Sequence, residues 1–287
     1  MDPLALLPFA IAAGGGRIGP LAASQLVAAG TTLLQRSAPL VRALAGRTAG
    51  ILLPNGPAWL LALAASDGRE AVVFDPASAQ EELAAQCHTH GIGAVFTTRA
   101  LASRLPAIVT RVLLDDAPAT ATVVLADREQ TVDLGSHYGL DLVGDTGVEG
   151  TNEPCLRFPL SSTSLSHRDV MAAARTAMAT FAYTPVDRTL PMSPLVTPSA
   201  VIHGLVAPLL AGGLLHLREQ PTIPECRTLI EHDDATMLVG TGSTLGDLAR
   251  ELRGAPLGHS ALKRVVCVAS DTTSVVATDY DLQRGSA

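Results

Sequence analysis

Between residues 48 and 97 three short apolar runs alternate with two helical segments, and each run is stopped by residues that cannot continue it. Residues 48–53 read as a buried strand closed by Pro54-Asn55-Gly56-Pro57, a strong turn signal. A helix over residues 58–65 follows. Residues 71–74 form the second strand, ended by Asp75-Pro76. Ser78 is placed to cap a helix whose first turn carries Glu81 and Glu82, where the helix dipole favours carboxylates. That helix ends near Gly91, and residues 94–97 form the third strand. Strands separated by helices pair in parallel, so this stretch predicts a βαβαβ unit.

The rest of the chain keeps the alternation. Residues 20–45 repeat apolar side chains near a 3.6 period and predict one helix. Strands are expected at 108–114 and 120–125, and a helix from about Ser166 to Tyr183. Helical and strand segments then alternate through 190–195, 202–210, 214–217, 223–231 and 237–239, with a last strand at 264–269. The fold class that follows is α/β, with mostly parallel sheets flanked by helices. Residues 144–154, rich in Gly, Asp, Glu and Thr, read as an exposed linker between halves at about 1–143 and 155–275. The polar tail from Ser270 shows no further boundary.

Composition narrows the function. Twenty basic against 27 acidic residues leave a net charge of -7, and Lys263 is the only lysine. An acidic chain without a basic block is a poor tracker of phosphate backbones, so no nucleic-acid partner is expected. Aromatics are 3% of residues, so the core must be built from Ala, Leu and Val. The apolar run at 4–13 follows Asp2 with no basic residue and is interrupted by Pro8. It fits a signal peptide badly and is too short to cross a bilayer. Cys87, Cys155, Cys226 and Cys267 show no metal-ligand or disulfide spacing and read as reduced, mostly buried thiols. The expectation is a soluble cytoplasmic protein.

Each candidate site competes with a plainer use of the same residues. Gly14-Gly15-Gly16-Arg17-Ile18-Gly19 satisfies a dinucleotide fingerprint, yet no acidic residue follows between Arg17 and Arg47 to hold a ribose, so a glycine-rich turn is the better reading. Ser161-Ser162-Thr163-Ser164 places four hydroxyls in a row before a helix, where they could hold a phosphate or simply form a capped polar loop. His167, His203 and His216 are too far apart for a local metal pair and read as packed or surface residues. Gly240-Thr241-Gly242-Ser243 is no nucleophile elbow. A single lysine at 263 excludes a Tyr-x-x-x-Lys dehydrogenase pair. Trp59, at a helix start, reads as a packing anchor.

Several segments taken in order resemble the adenylate-forming (AMP-binding) enzymes, the superfamily of acyl-CoA synthetases and luciferases. Gly50-Ile51-Leu52-Leu53-Pro54-Asn55-Gly56-Pro57 resembles the family's "V-A-I-L-L-P-N-S-P" segment, and Asp75-Pro76 with Glu81-Glu82-Leu83 its "P-x-x-x-x-E-E-L" helix. Leu165-Ser166-His167-Arg168-Asp169-Val170 resembles "L-S-H-R-N-L". Thr184-Pro185-Val186-Asp187-Arg188 with Met192-Ser193-Pro194-Leu195 resembles "T-P-x-D-R-x-L-x-x-M-P-L". His203-Gly204-Leu205 and Leu209-Leu210-Ala211-Gly212-Gly213 continue the series. The run is most similar to small-acid ligases of the oxalate-CoA type and covers about residues 45 to 270. It implies a partial N-terminal domain of that family, with ATP or AMP and magnesium as cofactors and a small carboxylic acid or CoA as ligand.

The departures shape the functional expectation. The family's phosphate loop, T-S-G-T-T-G-x-P-K-G, corresponds to Leu160-Ser161-Ser162-Thr163-Ser164, which keeps hydroxyls and lacks the glycines and the lysine. Without glycine the backbone turns its N–H groups onto phosphate less readily. After residue 269 no "Y-G-x-T-E" segment and no C-terminal domain with a catalytic lysine follow. The resemblance therefore implies a degenerate ligase without full turnover. A phosphate-loop remnant is expected at Ser161, Ser162, Thr163 and Ser164, an acid pocket at His203, Gly204 and Thr241, and no confident catalytic residue. Two alternatives stay open: a non-catalytic scaffold that self-associates or contacts an intact homologue, and a ligase subunit completed by a separate chain.

Overall fold

The computed structural model describes residues 6–115, 117–125, 128–135, 152–219, 221–232, 234–254, 260–268 and 277–279. Most of the expected linker, through residue 151, and most of the tail lie outside them. Helix α1 (Leu7–Gly14) leads through strands β1 (Arg17–Ile18) and β2 (Leu21–Ala22) into α2 (Ala23–Arg36) and α3 (Ala38–Leu44). The alternating stretch gives β3 (Thr48–Leu52), α4 (Ala58–Ala65), β4 (Ala71–Val73), α5 (Gln80–Thr89) and β5 (Ile92–Thr97). Then come α6 (Arg99–Ala102), β6 (Thr110–Leu113), β7 (Thr120–Leu125), β8 (Arg128–Asp133), β9 (Pro154–Phe158) and β10 (Thr163–Ser166). Helix α7 (His167–Thr180) and β11 (Arg188–Pro191) precede a helical stretch of α8 (Pro198–Val201), a π-helical turn (Ile202–Val206) and α9 (Ala207–Leu210). The chain continues as β12 (Leu214–Leu215), α10 (Ile223–His232), β13 (Met237–Thr241), α11 (Gly242–Gly254), β14 (Arg264–Val268) and β15 (Ala277–Asp279).

The strands form two sheets. The first has the order β10-β9-β4-β3-β5-β6-β7-β8, and the second β15-β14-β13-β11-β12-β1-β2. The interior of each is parallel, including β3 with β4 and β5, and β11 with β12 and β13. Antiparallel pairs close the edges. β9 and β10, from beyond the expected linker, complete the first sheet, while β1 and β2 join the second.

Side-chain alternation along the strands sorts the core into layers. Ile51 of β3 and Val239 of β13 face one large cluster shared with Leu26, Leu33, Trp59, Leu61, Val170 and Leu209. Their neighbours Leu52 and Leu238 face two separate clusters, the first under α5 and the second under α10 and α11. Helices thus lie between the two sheets and on both outer faces. Seven residues of α4, from Trp59 to Ala65, are buried. A helix apolar on all sides belongs in such a middle layer, and Trp59 anchors it at 1% exposure.

Local departures from the expected elements have identifiable causes. The helix expected at 20–45 breaks at Ser37, whose Oγ accepts the Leu40 N–H at 3.3 Å and caps α3. Ser78 does not cap α5; Ala79 holds that position, and Ser78 lies in a turn where its carbonyl accepts from Arg104. The apolar run near the N-terminus becomes α1. Gly14–Gly19 therefore follows a helix, not a strand, and a Cβ on Gly16 would lie 2.6 Å from the Leu209 backbone. Gly14 and Gly16 serve close packing against α9, while Gly15 and Gly19 supply left-handed turn positions. Cys87, Cys155 and Cys226 are buried and Cys267 is half-buried, all as free thiols. No helix among the described residues is long and apolar enough to cross a membrane.

His167 opens α7 at 1% exposure. Its Nδ1 accepts the Leu7 N–H at 3.1 Å, so Nε2 carries the proton and donates to the Gly68 carbonyl at 2.9 Å. One imidazole ties α1, the turn before β4 and α7 together. Burial lowers its pKa below the ordinary histidine value, against the opposing pull of the Gly68 carbonyl. The unfolded chain thus binds the proton more readily, and stability present above about pH 6.5 is lost as pH falls through that value. The slope from this group is at most about 1.4 kcal/mol per pH unit. Chemical denaturation between pH 7.5 and 5.5 checks this, with His167→Gln expected to flatten the loss relative to the native sequence.

Candidate functional site

The four-hydroxyl segment folds into a tight hairpin. β9 and β10 pair antiparallel with Phe158 opposite Thr163, and residues 159–162 make the turn. Pro159 starts a single 3-10 turn, and Ser162 closes it in the left-handed region at φ +54°. Ser161 Oγ donates to the Phe158 carbonyl at 3.1 Å and accepts the Thr163 N–H at 3.3 Å. Thr163 Oγ1 donates back to the Ser161 carbonyl at 3.4 Å. Ser164 Oγ donates to Glu70 Oε1 at 2.7 Å, and the same oxygen takes the Arg157 guanidinium at 3.0 Å. Three of the four hydroxyls are therefore engaged within the hairpin or by a carboxylate. The cap of the following helix is Ser166, which exchanges hydrogen bonds with Asp169 in a capping box.

A triphosphate does not fit this hairpin. A loop that wraps phosphates offers backbone N–H groups and a cation. Here the turn closes on itself, no lysine is present, and the nearby Arg157 is already paired with Glu70. No group of three or more His, Cys, Asp or Glu able to hold a metal occurs among the described residues.

The residues expected to form an acid pocket lie elsewhere, around residues 191–195 at and past the carboxyl end of β11. Thr241 ends β13, and its N–H donates to Ser193 Oγ at 3.0 Å. Its Oγ1 lies 2.9 Å from Ser243 Oγ and 3.2 Å from Thr244 Oγ1, at the start of α11. Gly204 packs from the π-helical turn, and a Cβ there would lie 3.3 Å from both Leu195 and Pro191 side-chain atoms. The His203 ring meets Phe181 in a T-shaped contact with centroids 5.4 Å apart, and the His203 carbonyl accepts the Tyr183 hydroxyl at 3.0 Å. The fold thus brings Gly204 and Thr241 to one segment and packs the His203 ring at 3% exposure.

Asn55 is the residue that sequence reasoning passed over. It lies in the turn after β3 at 7% exposure. Its Nδ2 donates to the Ser193 carbonyl at 2.9 Å, and its Oδ1 accepts the Leu195 N–H at 3.0 Å. The Pro-Asn-Gly-Pro turn was visible in the sequence; the partner, 138 residues away, was not. Asp187, at 2% exposure, plays a similar part at the start of β11. It accepts from the Thr184 N–H and hydroxyl, from Thr236 Oγ1, and from Arg264 at 2.7 Å. Burial pushes its pKa up, and those hydrogen bonds together with the Arg264 charge outweigh it, so the carboxyl sits below its ordinary value.

Known proteins similar to this chain share its fold. No family model matches the chain. It is 26% identical over 193 residues to the medium-chain fatty-acid–CoA ligase of Escherichia coli K12, a match that covers 64% of this chain and 32% of the relative. The nonribosomal peptide synthetase FmoA3, in its α-methyl-L-serine-AMP bound form, superposes with TM-score 0.70 at 19% identity over 96% of this chain and 34% of its own. MatB from Rhodopseudomonas palustris gives TM-score 0.66 at 15% identity over 96% and 62%. The chain shares the fold of part of these larger proteins. It spans about a third of the length of the curated relative it matches.

Two substitutions check the two ends of the second sheet. Asn55→Ala strands a buried N–H and carbonyl and is expected to cost about 2–4 kcal/mol in urea unfolding. Asp187→Ala leaves Arg264 and Thr236 without their acceptor and is expected to cost about 3 kcal/mol.

Proposed function

We propose that this chain is a ligase-like domain that performs no adenylation and keeps a small-carboxylate pocket beside Gly204 and Thr241, with His203 packed behind it. On this reading residues 1–143 and 155–275 are the two halves of a partial AMP-binding-type domain joined through 144–154. The observation that carries it is the hairpin at 159–164, where Ser164 bonds to Glu70. Adenylation joins a carboxylate oxygen to the α-phosphorus of ATP and breaks the bond to pyrophosphate. The departing charge needs cations and N–H donors around it. A carboxylate in place of a lysine beside the hydroxyls opposes that charge.

The pocket itself is supported by its position. In open α/β sheets ligands bind outside the carboxyl ends of the strands. Ser193 and Thr241 lie at the carboxyl ends of adjacent strands, and Ser243 and Thr244 add hydroxyls at the start of a 13-residue helix. Hydroxyls and helix N–H groups there suit a small anion.

The test has two arms. Acid-dependent pyrophosphate exchange with Mg-ATP and a panel of short carboxylic acids is expected to be absent, and calorimetry is expected to show no heat with Mg-ATP. Measurable exchange with any acid would sink the loss of adenylation. Oxalate, as the probe anion, is expected to bind and to be weakened by Thr241→Val. Oxalate binding indifferent to that substitution would remove the pocket.

A further inference from the structure

A cavity lies at the amino ends of strands of the first sheet. It is formed where the chain enters β3, β5 and β6, with α5 as its outer wall, and its volume is about 570 Å³. That is within the usual span of small-molecule sites, roughly 300–1,000 Å³. Gly46 and Gly91 line it in the left-handed region, and a Cβ on either would meet nothing within 4 Å, so bare backbone leaves the entrance open.

The lining has a definite chemistry. Ala84, Ile92, Ile108 and Val109 give apolar walls. Ile108 is 87% exposed, the most exposed of the large apolar side chains of the described core and surface. Burial pushes the Cys87 thiol up to about 11, so it too is a neutral wall near pH 7. The polar contributors are Arg47 and His88, and no carboxylate lines the cavity. No described acidic residue forms an ion pair with Arg47.

We propose that this cavity binds an apolar monocarboxylate, its chain against Ala84, Ile92, Ile108 and Val109 and its carboxylate at Arg47 and His88. A cationic mouth on an apolar cleft selects an amphipathic anion over a neutral or cationic molecule of the same length. The site is independent of the pocket at Thr241, since it lies at the amino ends of the strands instead of the carboxyl ends.

The experiment titrates the full chain with decanoate below its micelle concentration, and in parallel with decanol and decyltrimethylammonium. Methyl NMR follows Ile92 and Ile108. Saturable decanoate shifts at both methyls are expected, with weaker decanol binding and none from the cation. Arg47→Gln should weaken decanoate about fivefold and leave decanol unchanged. Ala84→Phe, which fills the cleft, should abolish both. Ile108→Glu, at an exposed position that folding does not need, should weaken decanoate more than decanol. The proposal is overturned if no saturable shift occurs at Ile92 and Ile108, if the cation binds as well as decanoate, or if Arg47→Gln weakens decanoate and decanol alike.

Discussion

The turn at Asn55 joins the two sheets where their carboxyl ends meet. Its amide donates to the Ser193 carbonyl and accepts the Leu195 N–H, so one buried side chain satisfies two backbone groups of a segment that would otherwise leave them unpaired. That clip sets where residues 191–195 run. Thr241 then bonds to Ser193, and Gly204 packs on Leu195 and Pro191. The carboxyl-end architecture of the second sheet thus depends on a turn from the first. His167 makes the matching link elsewhere, between α1, the turn before β4 and α7. Both links are buried polar contacts, so each is costly to break and specific in geometry.

The layers follow from elementary burial. Strands whose alternate residues face different clusters need helices on both sides of each sheet, and α4, apolar around its whole circumference, can lie only between them. The same packing consumes Gly14 and Gly16 near the N-terminus. Gly16 lets its backbone approach Leu209, which is a close-packing role with no ligand in it.

Chemistry at the hydroxyl hairpin follows from what its neighbours are. The same Ser and Thr side chains could have faced a phosphate, but the turn directs Ser161 and Thr163 at the hairpin's own backbone and Ser164 at Glu70. A hydroxyl is a donor and an acceptor at once. Its partner therefore decides its use, and Ser164's partner is a carboxylate from the turn before β4, distant in sequence.

Much of the fold was legible along the chain. Helix α4 matches the expected residues throughout, β7 does likewise, and α7 begins beside Ser166. These are set by local physics: the period of apolar residues, the breakers Pro, Gly and Asp, and the capping box. Ser37 and Ser78 show the limit, since a capping residue can be recognised only by where the backbone bends. Pro39 was the overlooked sign of the break after α2. The short β1 and β2, and the hairpin of β9 with β10, carry too few residues for periodicity to register. By itself the sequence determined the α/β class, the aliphatic core and the ordered motifs. The tertiary structure alone decided which sheet each strand joined, that Asn55 reaches Ser193, and that Glu70 stands beside Ser164. Those pairings span roughly ninety to 140 residues of chain, a separation over which only the packing of whole elements selects a partner.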